Sequence, residues 1–146
     1  MPHLQRERKR MTESPVIFPQ LPPVDRRTFV PDDVWVVEDG EWVRVSRHDD
    51  LTKWELLVTS EDSITTELKK NTWPRSSSSS PLVMASMIAA LKVTPGMRVL
   101  EIGTGTGWNA ACLDALGAEV ISVEIDPAIA DRARANLRRA GQGIRT

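Results

Sequence analysis

The chain has 146 residues, of which 40% are hydrophobic and 27% are charged, and its formal net charge is -1. This length and balance are typical of one domain with a modest core, and a near-neutral chain gives no indication of a nucleic-acid partner. The single cysteine, Cys112, excludes an internal disulfide and favours a reducing, cytoplasmic compartment. No apolar run approaches the roughly 20 residues that cross a bilayer, so we expect no membrane partner.

Residues 1–30 are predicted to form a flexible arm. Pro15, Pro19, Pro22 and Pro23 fall among charged residues there, with few periodic apolar positions. The basic cluster at residues 6–10 includes a glutamate, and we interpret it as a solvated tail rather than a nucleic-acid contact. No apolar segment follows it, so it is not a secretory signal.

Residues 31–75 are predicted to form a small α+β leader module. "VWVVEDGEWVRV", residues 34–45, predicts a hairpin, because Asp39-Gly40 stands between two β-rich runs. Residues 51–58 have apolar side chains at helical spacing, and Asp49 or Asp50 is placed to cap that helix. Residues 63–68 indicate a further short strand.

The five serines at residues 76–80 allow two interpretations. They are typical of a flexible linker, but Ser80-Pro81 is also a good helix start, with serine as the cap and proline at the first helical position. The helix that follows has an expected apolar face of Leu82, Ala85, Met87, Ile88 and Leu91. It ends before a turn at residues 94–96.

From Met97 the pattern becomes strand, glycine loop, helix, strand, helix. The strands are "RVLEI" and "AEVISVE", and a helix that begins near Trp108 connects them. A helical crossover makes the two strands parallel. Asp126-Pro127 starts the last helix, with Gly141 as its stop.

The loop between the first strand and its helix holds Gly103, Gly105 and Gly107. Glycines at this place let the backbone turn sharply and approach a ligand. Glu124 ends the second strand, 21 positions after Gly103, where an acid binds ribose hydroxyls. The combination predicts a site for a nucleoside-containing cofactor. The dinucleotide pattern needs glycine at Trp108, and Glu101 before the loop suits a cationic ligand better than a pyrophosphate.

"VLEIGTGTGWNAA" with "SVEID" resembles the glycine motif of class I S-adenosylmethionine-dependent methyltransferases. "SSPLVMASMIAAL" just upstream is similar to the protein-L-isoaspartate O-methyltransferase family, and the resemblance covers residues 76–146. It implies S-adenosyl-L-methionine as cofactor and Ser79 as the active-site serine, near the substrate carboxylate. The cofactor contacts that it implies are Glu101, Gly103, Thr104, Gly105, Gly107 and Glu124.

The sequence departs from this family in three ways. The hairpin leader differs from the family's helical N-terminal part, and Trp108 stands where the family more often has tyrosine. The chain also ends at "GIRT", where the family would begin a third strand. We therefore expect an α/β, Rossmann-like fold truncated after its first βαβ unit, with residues 76–146 as a partial cofactor-binding domain. We expect this fragment to be inactive alone and to self-associate.

The predicted function is an O-methyltransferase that acts on a carboxyl group of a protein or peptide. Repair of isomerised aspartates and modification of one dedicated peptide both stay open, and the leader mildly favours the second. A non-catalytic, partner-binding fragment and a methyltransferase of another substrate class are the alternatives. Two histidines and one cysteine give no metal-site spacing, so no metal is expected.

Overall fold

The structure, a computed structural model, describes residues 20–70 and 72–146. The predicted basic tail lies outside the described residues. A four-stranded antiparallel sheet has the order β2-β1-β3-β4, and a two-stranded parallel sheet consists of β5 and β6. In chain order the elements are β1 (Asp33–Glu38), β2 (Glu41–Ser46), α1 (Leu51–Val58), β3 (Ile64–Lys69), β4 (Trp73–Ser78), α2 (Pro81–Leu91), β5 (Arg98–Ile102), α3 (Trp108–Ala115), β6 (Glu119–Val123) and α4 (Pro127–Arg139).

The predicted hairpin and helix of the leader are confirmed. Asp39 and Gly40 both have positive φ, 50° and 84°, which matches the right-handed twist of the two strands that they join. Asp50 caps α1, because its Oδ1 accepts from Lys53 N at 2.9 Å. Trp54 of α1 is fully buried and anchors the leader core. That core consists of Val30, Val34, Val45, Trp54, Val58 and Ile64.

The linker interpretation of the serine stretch is wrong. Residues 76–78 belong to β4, which pairs with β3, so the boundary expected between residues 75 and 76 falls inside a strand. The serine sequence does not indicate a strand by propensity. Pairing with β3 supplies the backbone hydrogen bonds instead. The helix-start interpretation is confirmed, because Ser80 Oγ accepts from Val83 N and Pro81 is the first helical residue.

The expected apolar face of α2 is only partly correct. Met84 and Ala85 are its buried residues, whereas Leu82, Met87 and Leu91 are exposed. Helical spacing identifies sets of side chains that share a face but does not say which face meets the core. The helix is apolar nearly all round, so both choices fit the sequence.

Residues 20–30 are not part of a free arm. Phe29 and Val30 are both buried, the first in the core around α3 and the second in the leader core. The carbonyl of Val24 accepts from Trp108 Nε1 at 3.0 Å, and that of Phe29 accepts from Asn136 Nδ2 at 3.0 Å. The segment, called the strap below, therefore joins the leader to residues 81–146, which form the second unit. Proline and charge content predicted an arm because these long-range contacts leave no local pattern.

The second core lies between the parallel sheet and its helices. Strands β5 and β6 pair from Arg98↔Glu119 to Ile102↔Val123, which confirms the predicted parallel βαβ unit. Cys112 of α3 is fully buried in this core, as expected of a packing residue. Burial raises the pKa of its thiol to about 12, so it is inert at neutral pH.

One face of the parallel sheet is exposed. Its apolar side chains are Leu100, Ile102, Ile121 and Val123, and Ile102 is 82% exposed. The backbone carbonyl of Arg145 accepts from Ser122 N, so the last residues start a parallel pairing with β6. Between residues 20 and 146, with residue 71 left aside, no helix is long and apolar enough to cross a membrane.

We predict that the 146-residue chain self-associates through this exposed face. Burying an isoleucine side chain releases about 1.5–3 kcal/mol, so covering several of them favours a complex. Light scattering against concentration measures the effect. The double substitution Ile102→Lys and Ile121→Lys should shift the chain towards monomer, whereas Val37→Lys, at an exposed valine of the leader sheet, should not. A wild-type chain that stays monomeric at every concentration contradicts the prediction.

Candidate functional site

The glycine loop joins the carboxyl end of β5 to the start of α3. Gly103, Gly105 and Gly107 have φ values of +87°, +55° and +89°, in the region that disfavours other residues. A Cβ at Gly103 would meet no atom within 4 Å, so this side of the loop is open. A Cβ at Gly107 would lie 3.2 Å from Leu137 Cγ, which is tighter than ordinary packing against α4.

Four amides of the loop already have acceptors inside the fold. Gly103 N and Thr104 N donate to Val123 O, Gly105 N to Glu124 Oε2 and Gly107 N to Thr104 O. A pyrophosphate cradle needs free amides at this position. These four amides are therefore not free to bind a pyrophosphate, and the open surface of the loop lies at Gly103.

Glu124 lies at the tip of β6, beside the loop. Its Oε2 accepts from Gly105 N at 3.0 Å, and its Oε1 accepts from Asp126 N at 3.2 Å. An ionised carboxylate has about four acceptor positions, so these two bonds leave room for further donors. Glu124 is thus held in place by the backbone while it can still accept from two ligand hydroxyls.

Glu101 forms the floor of the loop in a hydrogen-bonded group. Asn109 Nδ2 donates to its Oε1 at 2.7 Å, and Ser122 Oγ donates to its Oε2. Burial raises the pKa of Glu101, the bonds from Ser122 and Asn109 lower it, and the Glu124 charge raises it again; the net pKa is raised. Within the described residues, the buried Oδ1 of Asn109 has no hydrogen-bond partner. This end of the site accepts hydrogen bonds and favours a cationic donor.

Thr104 supports this group from below. It is 4% exposed, and its Oγ1 lies 2.6 Å from Ser122 Oγ. Its side chain points into the core, where it fixes the hydroxyl that bonds Glu101. The side chain of Thr104 is therefore engaged inside the fold, and its predicted ligand contact stays a prediction.

Strand β4 lies against the glycine loop. The carbonyl of Ser77 would be 3.6 Å from a Cβ at Gly105, and Ser76 Oγ would be 3.9 Å from it. The chain then leaves β4 at Ser79, which is exposed and precedes the cap of α2. The structure thus places Ser76 and Ser77 beside the loop, and the role of Ser79 stays a prediction. Sequence reasoning missed β4 itself as a wall of the site.

An ionic cluster holds the leader sheet to α4. Arg75 of β4 bonds both Glu67 of β3 and Asp126, the cap of α4, while Arg132 of α4 also bonds Glu67. The cluster sits next to Glu124, since Asp126 N donates to that carboxylate. Each pair is partly exposed and weak on its own, but together they fix β4 in relation to the loop.

A cleft of about 1040 Å³ opens between the leader and α4. Of the predicted site residues, Gly105 alone lines it, so the cleft adjoins the candidate site without enclosing it. Its walls carry both acidic and basic side chains, which gives no preference for the charge of a ligand. In residues 20–70 and 72–146, no cluster of histidine, cysteine and acidic side chains is placed to hold a metal ion.

The family model for protein-L-isoaspartate(D-aspartate) O-methyltransferase matches residues 51–143, well over half of the chain. The chain belongs to this family. The protein-L-isoaspartate O-methyltransferases of Gloeobacter violaceus and Methanoculleus marisnigri are 51% and 56% identical to this chain over 63 residues. Those residues make up 43% of this chain but only 31% and 29% of the relatives. The chain thus spans less than a third of their length.

A solved protein-L-isoaspartate O-methyltransferase has the same architecture. It superposes with a TM-score of 0.61 at 26% identity and covers 84% of this chain, which in turn covers 33% of that protein. The match extends well beyond the 63 residues aligned with the relatives. The Rossmann-like α/β fold expected from the glycine motif is therefore confirmed.

The two glycines at the ends of the loop should differ in what alanine does to stability. Gly103→Ala costs only the strain of positive φ, about 1–2 kcal/mol, because its Cβ meets open space. Gly107→Ala has the same strain and also a close contact with Leu137. Its melting temperature should therefore fall more than that of Gly103→Ala. Thermal unfolding followed by circular dichroism compares the two. Equal losses would show that the Leu137 contact relaxes freely.

Glu101→Gln should leave the folded state at least as stable at neutral pH. A carboxyl whose pKa is raised on folding favours the folded state below its unfolded pKa, and this advantage is lost as pH rises through the raised value. Asn109 can turn its amide so that Oδ1 accepts from the new Gln. The melting temperature should be measured between about pH 4 and pH 8. As the pH is lowered, it should rise less in the variant than in the wild type. A large loss at neutral pH would contradict this.

Proposed function

We propose that this chain carries the cofactor-binding part of an S-adenosylmethionine-dependent methyltransferase that acts on a carboxyl group of a protein or peptide. The observation that carries the proposal is the pair of carboxylates, Glu101 and Glu124, beside a loop in which four amides are already bonded. Such a site suits hydroxyls and a cation, not a pyrophosphate. Membership of the isoaspartate methyltransferase family supports the reaction class.

The residues of the site fit S-adenosylmethionine. Glu124 has free acceptor positions for the two ribose hydroxyls. Glu101, together with the unpartnered Oδ1 of Asn109, offers acceptors to the amino group of the methionine part. The open side of Gly103 leaves space for the ligand backbone to pass. When bound, this cofactor supplies an activated methyl group on a sulfonium.

The protein has little acid–base work to do in this reaction. A substrate carboxylate with a pKa of about 4 is already ionised at neutral pH, so no general base is required. The task is to hold the carboxylate oxygen in line with the methyl group and to exclude water. We assign Ser79 to the substrate carboxylate, since its segment leaves β4 beside the loop and its hydroxyl can donate a hydrogen bond.

Isoaspartyl repair and modification of one dedicated peptide are both compatible with this site. The four-stranded leader sheet supports the second, because it adds a wall of the site that a specific partner can contact. We propose a cytoplasmic location for either, in keeping with the buried, inert thiol of Cys112. A non-catalytic role in binding a partner is the second candidate, favoured by the exposed apolar face of β5 and β6.

Cofactor choice tests the proposal. Calorimetric titration of the chain should detect S-adenosylmethionine but not NAD. Glu124→Ala should weaken binding by about 1–3 kcal/mol, because two ribose hydroxyls lose a charged acceptor. Glu119→Ala, at an exposed glutamate of the same strand, is the matched control and should bind like wild type. Tight NAD binding without a response to the methyl donor would overturn the proposal.

The adjacent serines should separate chemistry from folding. Ser79→Ala should lower methyl transfer to an isoaspartyl peptide, measured in the protein at its full natural length, with little change in cofactor affinity. Ser80→Ala removes the cap of α2 and should cost about 1 kcal/mol of stability. If Ser79→Ala transfers methyl groups at the wild-type rate, the serine segment only leads into the helix.

A further inference from the structure

Arg26 is the one buried arginine among the described residues, with 6% of its surface exposed. It starts the 3-10 turn Arg26–Thr28, in the segment that joins the leader to residues 81–146. Its neighbour Arg27 is exposed and pairs with Asp25. The two arginines therefore differ in environment although they are adjacent in sequence.

The Arg26 guanidinium gathers the ends of several chain segments. Its acceptors are Ser78 Oγ (3.0 Å from Nε), Ser78 O (2.8 Å), Ser79 O (2.9 Å) and Asp62 O (2.9 Å) from Nη2, and Ser60 O (3.2 Å) and Val58 O (3.4 Å) from Nη1. Five are backbone carbonyls and one is a hydroxyl. Only a planar fork of donors reaches so many acceptors at once, so lysine cannot replace it fully.

The Arg26 guanidinium is bound by carbonyl and hydroxyl dipoles, and the carboxylates of Glu61 and Asp62 act on its charge without bonding to it. None of the ion pairs formed between the described residues includes it. Burial lowers the pKa of the guanidinium to about 10, which still leaves it charged at neutral pH. Burying a charge in this way costs free energy. In exchange, the guanidinium fixes the relative positions of the carbonyls that it binds.

Arg26 also contacts the end of the glycine loop. Its guanidinium carbon lies 5.1 Å from the ring centroid of Trp108, a cation–π distance. Trp108 is the first residue of α3 and directly follows Gly107. One side chain therefore contacts both the serine segment and the residue that closes the loop.

We propose that Arg26 is a positioning residue that fixes the Ser79 backbone in relation to the glycine loop. The inference rests on the proposed function, in which Ser79 meets the substrate carboxylate. Because Nη2 holds the carbonyls of Ser78 and Ser79 and the guanidinium rests on Trp108, the exposed hydroxyl of Ser79 projects from an anchored backbone. Arg26 itself touches neither ligand; it acts through Ser79.

Hydrogen exchange tests the anchoring without any methyl transfer. In Arg26→Lys, amides of residues 76–80 should exchange about tenfold faster or more, because bonds to a charged donor are lost, while α4 amides keep their protection. Arg27→Lys should change neither. Equal acceleration in both regions would assign Arg26 to general stability and overturn the proposal, as would no acceleration. If Arg26→Lys does not fold, Ser78→Ala, which removes the Nε acceptor, should loosen the same amides.

A double-mutant cycle tests the action through Ser79. In the protein at its full natural length, Arg26→Lys should lower kcat roughly tenfold to a hundredfold with KM and cofactor affinity nearly unchanged. In a Ser79→Ala background it should lower kcat less than about twofold further. Multiplying effects would overturn the proposal, since Arg26 would then act independently of Ser79.

The two measurements separate the failure of this proposal from that of the proposed function. If the wild-type protein transfers no methyl group but Arg26→Lys speeds hydrogen exchange at residues 76–80, the anchoring role is supported and the proposed function is rejected. If the wild-type protein transfers methyl groups and Arg26→Lys has the wild-type kcat, the positioning role is rejected and the proposed function stands.

Discussion

A charge held by backbone carbonyls is the constraint on which the arrangement of this chain depends. The Arg26 guanidinium bonds carbonyls at the end of α1, before β3 and directly after β4, and it packs on Trp108 at the start of α3. Buried backbone carbonyls need a hydrogen-bond donor, and Arg26 supplies one to each of these. The adjacent Phe29 and Val30 then enter different cores, so the strap fixes the leader on the second unit by burial as well as by hydrogen bonds.

The junction formed in this way decides which surfaces face the glycine loop. β4 reaches Gly105 because the strap and the cluster of Glu67, Arg75 and Arg132 hold the leader sheet there. Without them the loop would have a wall only on the side of its own βαβ unit. The leader therefore belongs to the candidate site, and a substitution in its core can reach the site through β4.

The sequence predicts the local parts of this structure and misses the long-range ones. The hairpin at Asp39-Gly40, the capped helix α1 and the loop between β5 and α3 follow from turn chemistry, capping and periodicity. β4 and the strap are not predicted, because serines and prolines have low strand propensity. Both segments are held in place by contacts with residues distant in sequence. Their spacing from the glycines predicts Glu101 and Glu124 as site residues, whereas Asn109, Ser122 and Arg26 carry no motif. Their roles exist only once the chain is folded.

The candidate site obtains its preference for ligand charge from hydrogen bonds that are already made. Loop amides that donate to Val123, Glu124 and Thr104 are not available to an anion, so acceptors dominate the surface that remains. Glu101 is partly desolvated, and its raised pKa records the cost of holding a negative charge there. A cationic ligand lowers that pKa on binding and recovers part of the cost. By linkage, its affinity must fall as pH drops through the pKa of Glu101, whereas a neutral ligand held by Glu124 alone would not respond to Glu101 in this way.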